Sequence, residues 1–230
     1  MILHIFRHFL LRTAYFFITP LAKFLNNDCQ IQTSTDAMIE PITIKKAGPI
    51  QGVIIVLINM LPMMAIVALM PVVPAIVENF KDIPHITTWA PLVLSAPGLC
   101  IALVSPYAGV LVDKFGRRRL LIATMILYGI GGLIPFFVNS FPALMGGRLL
   151  LGVGEAFVMT LANVLLGDYF SVKARNWWLV VQSVAGSACG TLLLYTSGQL
   201  AANGWQYPFL VYSAALVFAL LAWLFIFEPF

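Results

Sequence analysis

The chain has 230 residues, of which 61% are hydrophobic and only 10% charged, and its mean hydropathy is +0.96. A soluble domain carries about a quarter of its residues as charges, so this composition excludes an ordinary water-soluble enzyme or binding module. The formal net charge of +4 is no sign of nucleic-acid binding, because the basic residues gather in short loops between apolar runs.

Several of those runs reach or approach the ~18–20 residues that cross a bilayer as a helix. The alternating segments of roughly ten residues that build a membrane β-barrel do not occur. The predicted class is therefore an all-α membrane protein. Cys29, Cys100 and Cys189 are isolated, without CxxC or CxxH spacing, and His4, His8 and His85 form no ligand cluster. No disulfide framework, metal site or cofactor is expected. There is no G-x-x-x-x-G-K-[ST] loop for nucleotide hydrolysis and no nucleophile constellation, so the chain does not read as an enzyme.

Residues 1–49 read as an N-terminal segment and linker. His4, Arg7, His8, Arg12 and Lys23 fall within about half of a helical wheel, as in a basic amphipathic helix lying in the cytoplasmic interface. Two other readings stand beside it. One is a secretory leader, although polar residues interrupt its apolar core. The other is that translation starts at Met38 and residues 1–37 are an extension. Residues 26–49 are polar and carry no span.

Residues 50–230 divide into six predicted spans. Span 1, about 52–77, holds Asn59 and three prolines, Pro62, Pro71 and Pro74, which bend a helix and free its carbonyls. A polar loop with Lys81 leads to span 2, about 89–112, which carries Pro91, Pro97 and Pro106. Next comes a charge-dense loop, Gly109-Val-Leu-Val-Asp113-Lys-Phe-Gly116-Arg117-Arg118-Arg119, with four basic residues in six positions. Asp113 stands four residues before Arg117, so the two can pair along a helical turn, or Asp113 can cap a helix start.

Span 3, about 120–138, contains Tyr128 and the small residues Gly129, Gly131 and Gly132, which permit close helix approach. Asn139-Ser140 turns the chain into span 4, about 142–166, where Arg148 and Glu155 are the two formal charges well inside any span. Ionised groups at that depth cost at least ~2.5–3.5 kcal/mol each and usually face a pathway or a partner. Seven residues apart, they share a helix face about 10 Å apart along the axis, close enough for a water or a substrate group to bridge. A second charged loop, with Asp168, Lys173 and Arg175, precedes span 5, about 177–201, and span 6 ends near Phe227, with Glu228-Pro229 as its stop. Asn59, Tyr128, Asn163 and Gln182 are in-span polar groups that could line a cavity, although a single one is more often an interhelical hydrogen bond.

Lys and Arg number five, four and two in the N-terminal region, the 2–3 loop and the 4–5 loop, against Lys81 alone in the opposite loops. The positive-inside rule then puts both termini in the cytoplasm; the expected location is the plasma (bacterial inner) membrane. Trp89, Trp177, Trp178 and Trp205 fall near span ends, as an interfacial aromatic belt would place them.

The loop pattern G-x-L-x-D-x-x-G-R-R resembles the signature between spans 2 and 3 of the major facilitator superfamily of secondary transporters. Asp168-Tyr-Phe-Ser-Val-Lys-Ala-Arg175 is similar to that superfamily's loop after span 4, and Gly204-Trp-Gln-Tyr-Pro-Phe209 to its turn before span 6, with Gln206 in place of an arginine. Pro71-Val-Val-Pro74 resembles the close of span 1 in drug-transporting branches. Span 4, with Arg148-Leu-Leu-Leu-Gly152-Val-Gly154-Glu155-Ala156, resembles a motif linked to proton coupling, in a version with Glu that recurs in carriers of organic anions and lipids. Gly186-Ser-Ala-Cys-Gly190 matches only part of the drug-antiporter motif of span 5: Thr191 replaces its proline and Leu194-Tyr195 its last glycines. Helix packing alone explains these glycines.

The resemblance implies a six-helix half of a transporter, built as a three-plus-three inverted repeat that works by alternating access against a second half. It implies a latch made by Gly109, Asp113, Gly116, Arg117, Arg118 and Asp168, with Arg117 paired to Asp168. It also implies proton coupling at Glu155, tuned by Arg148, and transport or efflux of a small drug-like molecule across the lipid bilayer. The alternatives are an organic anion or lipid as cargo, or a half that transports nothing until a partner chain supplies the other six spans.

Overall fold

The structure is a computed structural model and describes residues 47–228, apart from the side chain of Asp113. The expected amphipathic helix and Met38 lie outside the described residues. Every regular element among the described residues is helical, and six stretches are long and apolar enough to cross a membrane. They are span 1 (Pro49–Asn79), span 2 (Ile86–Val112), span 3 (Arg117–Phe137), span 4 (Phe141–Tyr169), span 5 (Val172–Ala201) and span 6 (Tyr207–Phe225).

Local chemistry marks the ends. The Ser140 hydroxyl accepts the Ala143 amide at 3.3 Å to start span 4, and the Ser171 hydroxyl accepts the Ala174 amide to start span 5. Gly116 separates spans 2 and 3 at φ 83°, a left-handed backbone that favours glycine. The span 2 helix runs on to Phe115, so the backbone of Asp113 lies inside that helix and the start of span 3 falls at Gly116. With Gly116 breaking the chain, Asp113 and Arg117 do not share a continuous helical turn.

Span 1 is broken where its prolines lie. Helix runs from Pro49 to Asn59 and from Leu61 to Val67, then passes through a tight turn at Met70–Val72 before resuming from Val73 to Asn79. Span 4 packs chiefly on spans 2 and 3, span 3 also on span 6, and span 1 touches spans 4, 5 and 6. Spans 4 and 1 are the innermost, 61% and 56% buried, whereas spans 2 and 5 are 22% and 17% buried.

Missing side chains let span 4 approach so closely. A Cβ on Gly131 would meet the Leu151 amide nitrogen at 2.6 Å, and one on Gly152 would meet Pro97 Cα at 2.6 Å. A Cβ on Gly154 would meet the Thr124 carbonyl at 2.8 Å. The small residues of the span 4 motif are thus spent on contact with spans 2 and 3.

Two of the tryptophans are corrected as well. Trp178 is buried against Phe170 and over Gly52 of span 1, and Trp205 is buried between Phe80 and Phe209. These two pack inside the protein rather than standing at its surface, while Trp89 is exposed.

Side-chain contacts tie alternate loops to opposite ends. At one end Arg117 pairs with Asp168, Gln51 donates to the Phe225 carbonyl, and Tyr169 donates to the Phe227 carbonyl. At the other, Asn79 donates to Asn139 at 3.2 Å, and Phe80 meets Phe141 and Trp205 edge to face.

Candidate functional site

Arg148 is fully buried in span 4, and all three of its nitrogens have partners. Nη2 donates to the Ala65 carbonyl of span 1 at 2.5 Å, Nη1 to the Tyr212 hydroxyl of span 6 at 2.9 Å, and Nε to the Val93 carbonyl of span 2 at 3.3 Å. The guanidinium also lies 5.2 Å from the centre of the Tyr212 ring, a cation–π contact. One side chain thus joins four spans.

Glu155 stands two turns further along span 4, 2% exposed, with Oε2 buried and without a hydrogen-bond partner among the described residues. It makes no ion pair with Arg148, whose donors point to carbonyls and a hydroxyl instead. A buried carboxyl without a partner is a group whose charge state is not held by local bonds.

The other polar candidates separate. Tyr128 is completely buried and its hydroxyl donates to the Leu61 carbonyl of span 1 at 2.7 Å, so it does not face an open cavity. The Asn163 amide bonds back to the Met159 carbonyl on an exposed face of span 4. Asn59 and Gln182, far apart in the chain, come together in one cavity between spans 1 and 5. In the same region Met63 occupies the space left by Gly190 and lies against Gly186, so the span 5 glycines serve packing.

At the charged end, Arg117 and Asp168 form a partly buried ion pair, with side chains 27% and 20% exposed. Arg118 donates to the Trp223 carbonyl at the end of span 6. The residue that sequence reasoning missed is Glu228. Its carboxylate accepts the backbone amides of Arg117 at 2.7 Å and Arg118 at 3.0 Å, so an anion from the end of span 6 caps the start of span 3. Beyond its own helical turn, no described residue comes within 4 Å of where a Cβ on Gly109 would stand. Among the described residues no group of three metal-ligating side chains occurs, and the two described cysteines are free.

The family model of the Major Facilitator Superfamily matches residues 55–230. Multidrug resistance protein 2 of Bacillus subtilis is 27% identical over 159 residues, covering 69% of this chain and 39% of that protein. Multidrug resistance protein MdtG of Yersinia enterocolitica is 27% identical over 166 residues, 70% of this chain and 40% of that one. Solute carrier family 2, facilitated glucose transporter member 12, of Xenopus laevis is 31% identical over 121 residues, 51% of this chain and 20% of that one. The chain therefore spans at most about two fifths of these relatives. With six membrane-length helices and a family match over most of its length, the chain belongs to the major facilitator superfamily, whose members are transporters and not enzymes.

Proposed function

We propose that the chain supplies one rocking half of a proton-coupled secondary transporter for a small drug-like molecule, with Glu155 as the group that gains and loses the proton. The second six-span half comes from the same or a separate chain. The observation that carries this reading is the contrast within span 4: Arg148 is bound on every nitrogen, whereas the buried Oε2 of Glu155 has no partner among the described residues.

Protonated, Glu155 is neutral and inexpensive to bury. Ionised, it carries a charge that at this depth costs at least ~2.5–3.5 kcal/mol, which favours the arrangement that opens it to water. Arg148 tunes this step by its field while fixing the helices around it. The names of the two multidrug relatives support a drug-like cargo.

In this reading Gly109, Asp113, Gly116, Arg117, Arg118 and Asp168 form the latch, and Glu228 is added to it. Gly109 leaves room for the facing half to approach. Lys114, Arg117, Arg118, Arg119, Lys173 and Arg175 favour the cytoplasmic side of the plasma membrane for this end.

The test is flux into vesicles holding the protein, driven by an imposed pH gradient, with chloramphenicol, tetracycline and ethidium as radiolabelled probes. The proposal expects gradient-driven flux of at least one probe and its loss in Glu155→Gln. Flux that ignores the gradient, or survives the substitution unchanged, removes Glu155 from the mechanism.

A further inference from the structure

Spans 3 and 6 run antiparallel along one seam, and three contacts fix its register. Arg118 at the start of span 3 donates to the Trp223 carbonyl near the end of span 6. A Cβ on Gly129 would meet the Leu216 side chain at 2.8 Å, and one on Gly132 would meet Tyr212 at 2.5 Å. Both glycines let span 6 side chains sit against the span 3 backbone. Between these contacts Ile126 and Ile130 of span 3, and Val217 and Leu220 of span 6, stand exposed.

The exposed residues of span 3 recur at helical spacing, Arg119, Ala123, Ile126 and Ile130, so a cation heads one outward stripe. From Arg119 to Ile130 the helix rises about 16 Å, close to half of a ~30 Å hydrocarbon core. Beyond Arg119 that stripe is purely apolar as far as Ile130, and so are the exposed Val217, Leu220 and Leu224 of span 6. Other outward faces differ. Span 5 exposes Ser183, Ser187, Thr191 and Gln199, and span 2 exposes Ser95 and Ser105. The seam of spans 3 and 6 is therefore the face suited to hydrocarbon.

At the charged end cations outnumber carboxylates. Lys114, Arg117, Arg118, Arg119, Lys173 and Arg175 stand against Asp113, Asp168 and Glu228. Asp168 pairs with Arg117, and both Glu228 oxygens are taken by the amides of Arg117 and Arg118. Arg119 is exposed and makes no hydrogen bond or ion pair among the described residues. Because Glu228 already fills the start of span 3, an incoming anion meets side chains and not helix amides. Arginine holds a phosphate through paired N–H groups. Trp223, exposed at the same end, is an aromatic of the kind that sits at headgroup level. A soluble anion would use the cation and leave the apolar stripe bare, and a lipid without net charge would do the reverse. A negatively charged phosphate on acyl chains uses both.

We propose that this seam binds an anionic phospholipid from the leaflet at the charged end. Arg119 holds its phosphate, with Arg118 beside it, and its chains lie on Ile126, Ile130, Val217 and Leu220. The site needs neither proton exchange at Glu155 nor a second half, so it stands apart from the transport reading.

The test is native mass spectrometry of the full chain titrated in detergent with phosphatidylglycerol or phosphatidylcholine, which resolves each bound lipid. The first phosphatidylglycerol binds at least about fivefold more tightly than the first phosphatidylcholine, the worth of one basic residue facing an anionic headgroup. Arg119→Gln weakens phosphatidylglycerol about fivefold and leaves phosphatidylcholine unchanged. Arg119→Lys keeps most of the preference, and Lys173→Gln, at the same end but on span 5, changes it less than about twofold. Since Arg119 makes no bond in the folded chain, the lipid-free unfolding midpoint of Arg119→Gln matches that of the parent, which separates lost binding from lost folding. Glycerol 3-phosphate, which has no chains, fails to displace the lipid at equal concentration. Equal affinity for the two lipids, phosphatidylglycerol binding indifferent to Arg119→Gln, or an equal loss in Arg119→Gln and Lys173→Gln overturns the proposal. So does full displacement by glycerol 3-phosphate, or a dimer whose formation excludes phosphatidylglycerol. Glu155→Gln leaves lipid binding unchanged.

Discussion

The Arg148 guanidinium donates to the Ala65 carbonyl at 2.5 Å, across the junction of spans 4 and 1. That carbonyl is open because the Leu69 amide, which would close the helical turn on it, bonds to Ile66 instead. The same break frees the Ala68 carbonyl, since the Val72 amide bonds to Leu69, and the buried Ser197 hydroxyl of span 5 takes it. Tyr212 of span 6 also donates to Ala65, and Tyr128 of span 3 donates to Leu61. A proline-broken helix thus presents acceptors that four other spans use. In lipid an open carbonyl has no water to fall back on, so these bonds hold the bundle together.

Replacing Arg148 by Met keeps the volume roughly, removes three charge-assisted bonds, strands the Val93 carbonyl and leaves Ala65 with Tyr212 as its one side-chain donor. Each stranded buried group costs about 1–3 kcal/mol. Arg148→Met should therefore lose several kcal/mol in reversible unfolding in mixed micelles, far more than Glu155→Gln, whose Oε2 has no bond to lose. Equal stability in the two variants would show that Arg148 does not tie the spans together.

The charged end makes a second test. Arg117→Asp and Asp168→Arg should each lower stability, and the double swap should recover part of the loss. Because both side chains retain some exposure, the coupling energy should be about 0.5–1 kcal/mol. Glu228→Ala removes an acceptor from two amides at the start of span 3 and should cost about 1–2 kcal/mol. A cycle with zero coupling, or a neutral Glu228→Ala, would contradict this arrangement.

Glycines should divide sharply. Gly131→Ala drives a methyl into the Leu151 backbone, which cannot yield as a side chain would, at a cost of about 1–3 kcal/mol. Gly198→Ala meets nothing within 4 Å and should be neutral or stabilising by up to about 1 kcal/mol through helix propensity. Gly109→Ala, with equally open surroundings, should likewise be neutral or stabilising by up to about 1 kcal/mol in unfolding, and on the proposed latch it should reduce flux. A stability scan of the three variants checks the order.

Much of this was legible in the chain. Six apolar runs separated by short polar loops can satisfy their backbone polar groups only as membrane helices, and the pattern of Lys and Arg identified the loops that share an end. The Arg117–Asp168 contact was implied by the resemblance of the two charged loops to those of the superfamily, and the structure pairs them. What Arg148 binds could not be read from letters, since its acceptors are backbone carbonyls present at every residue. The available signal was Pro71, which announces a break in span 1 but not which carbonyls it frees. Glu228 looked like a helix stop because its two partners are amides from 110 and 111 residues away. Asn59 and Gln182 belong to different helices whose facing register has no sequence period. Trp178 and Trp205 were misplaced because an aromatic near a span end looks the same whether it meets lipid or fills the space over a glycine.

The central claim is that Glu155 exchanges a proton from within span 4. Infrared difference spectroscopy of the protein in lipid, recorded across a pH step, reads carboxyl protonation without any transported molecule. The account predicts a carboxylic-acid C=O band that responds to the step, shifts in D₂O, and disappears in Glu155→Gln while persisting in Asp168→Asn. Identical spectra from the wild-type protein and Glu155→Gln would contradict it.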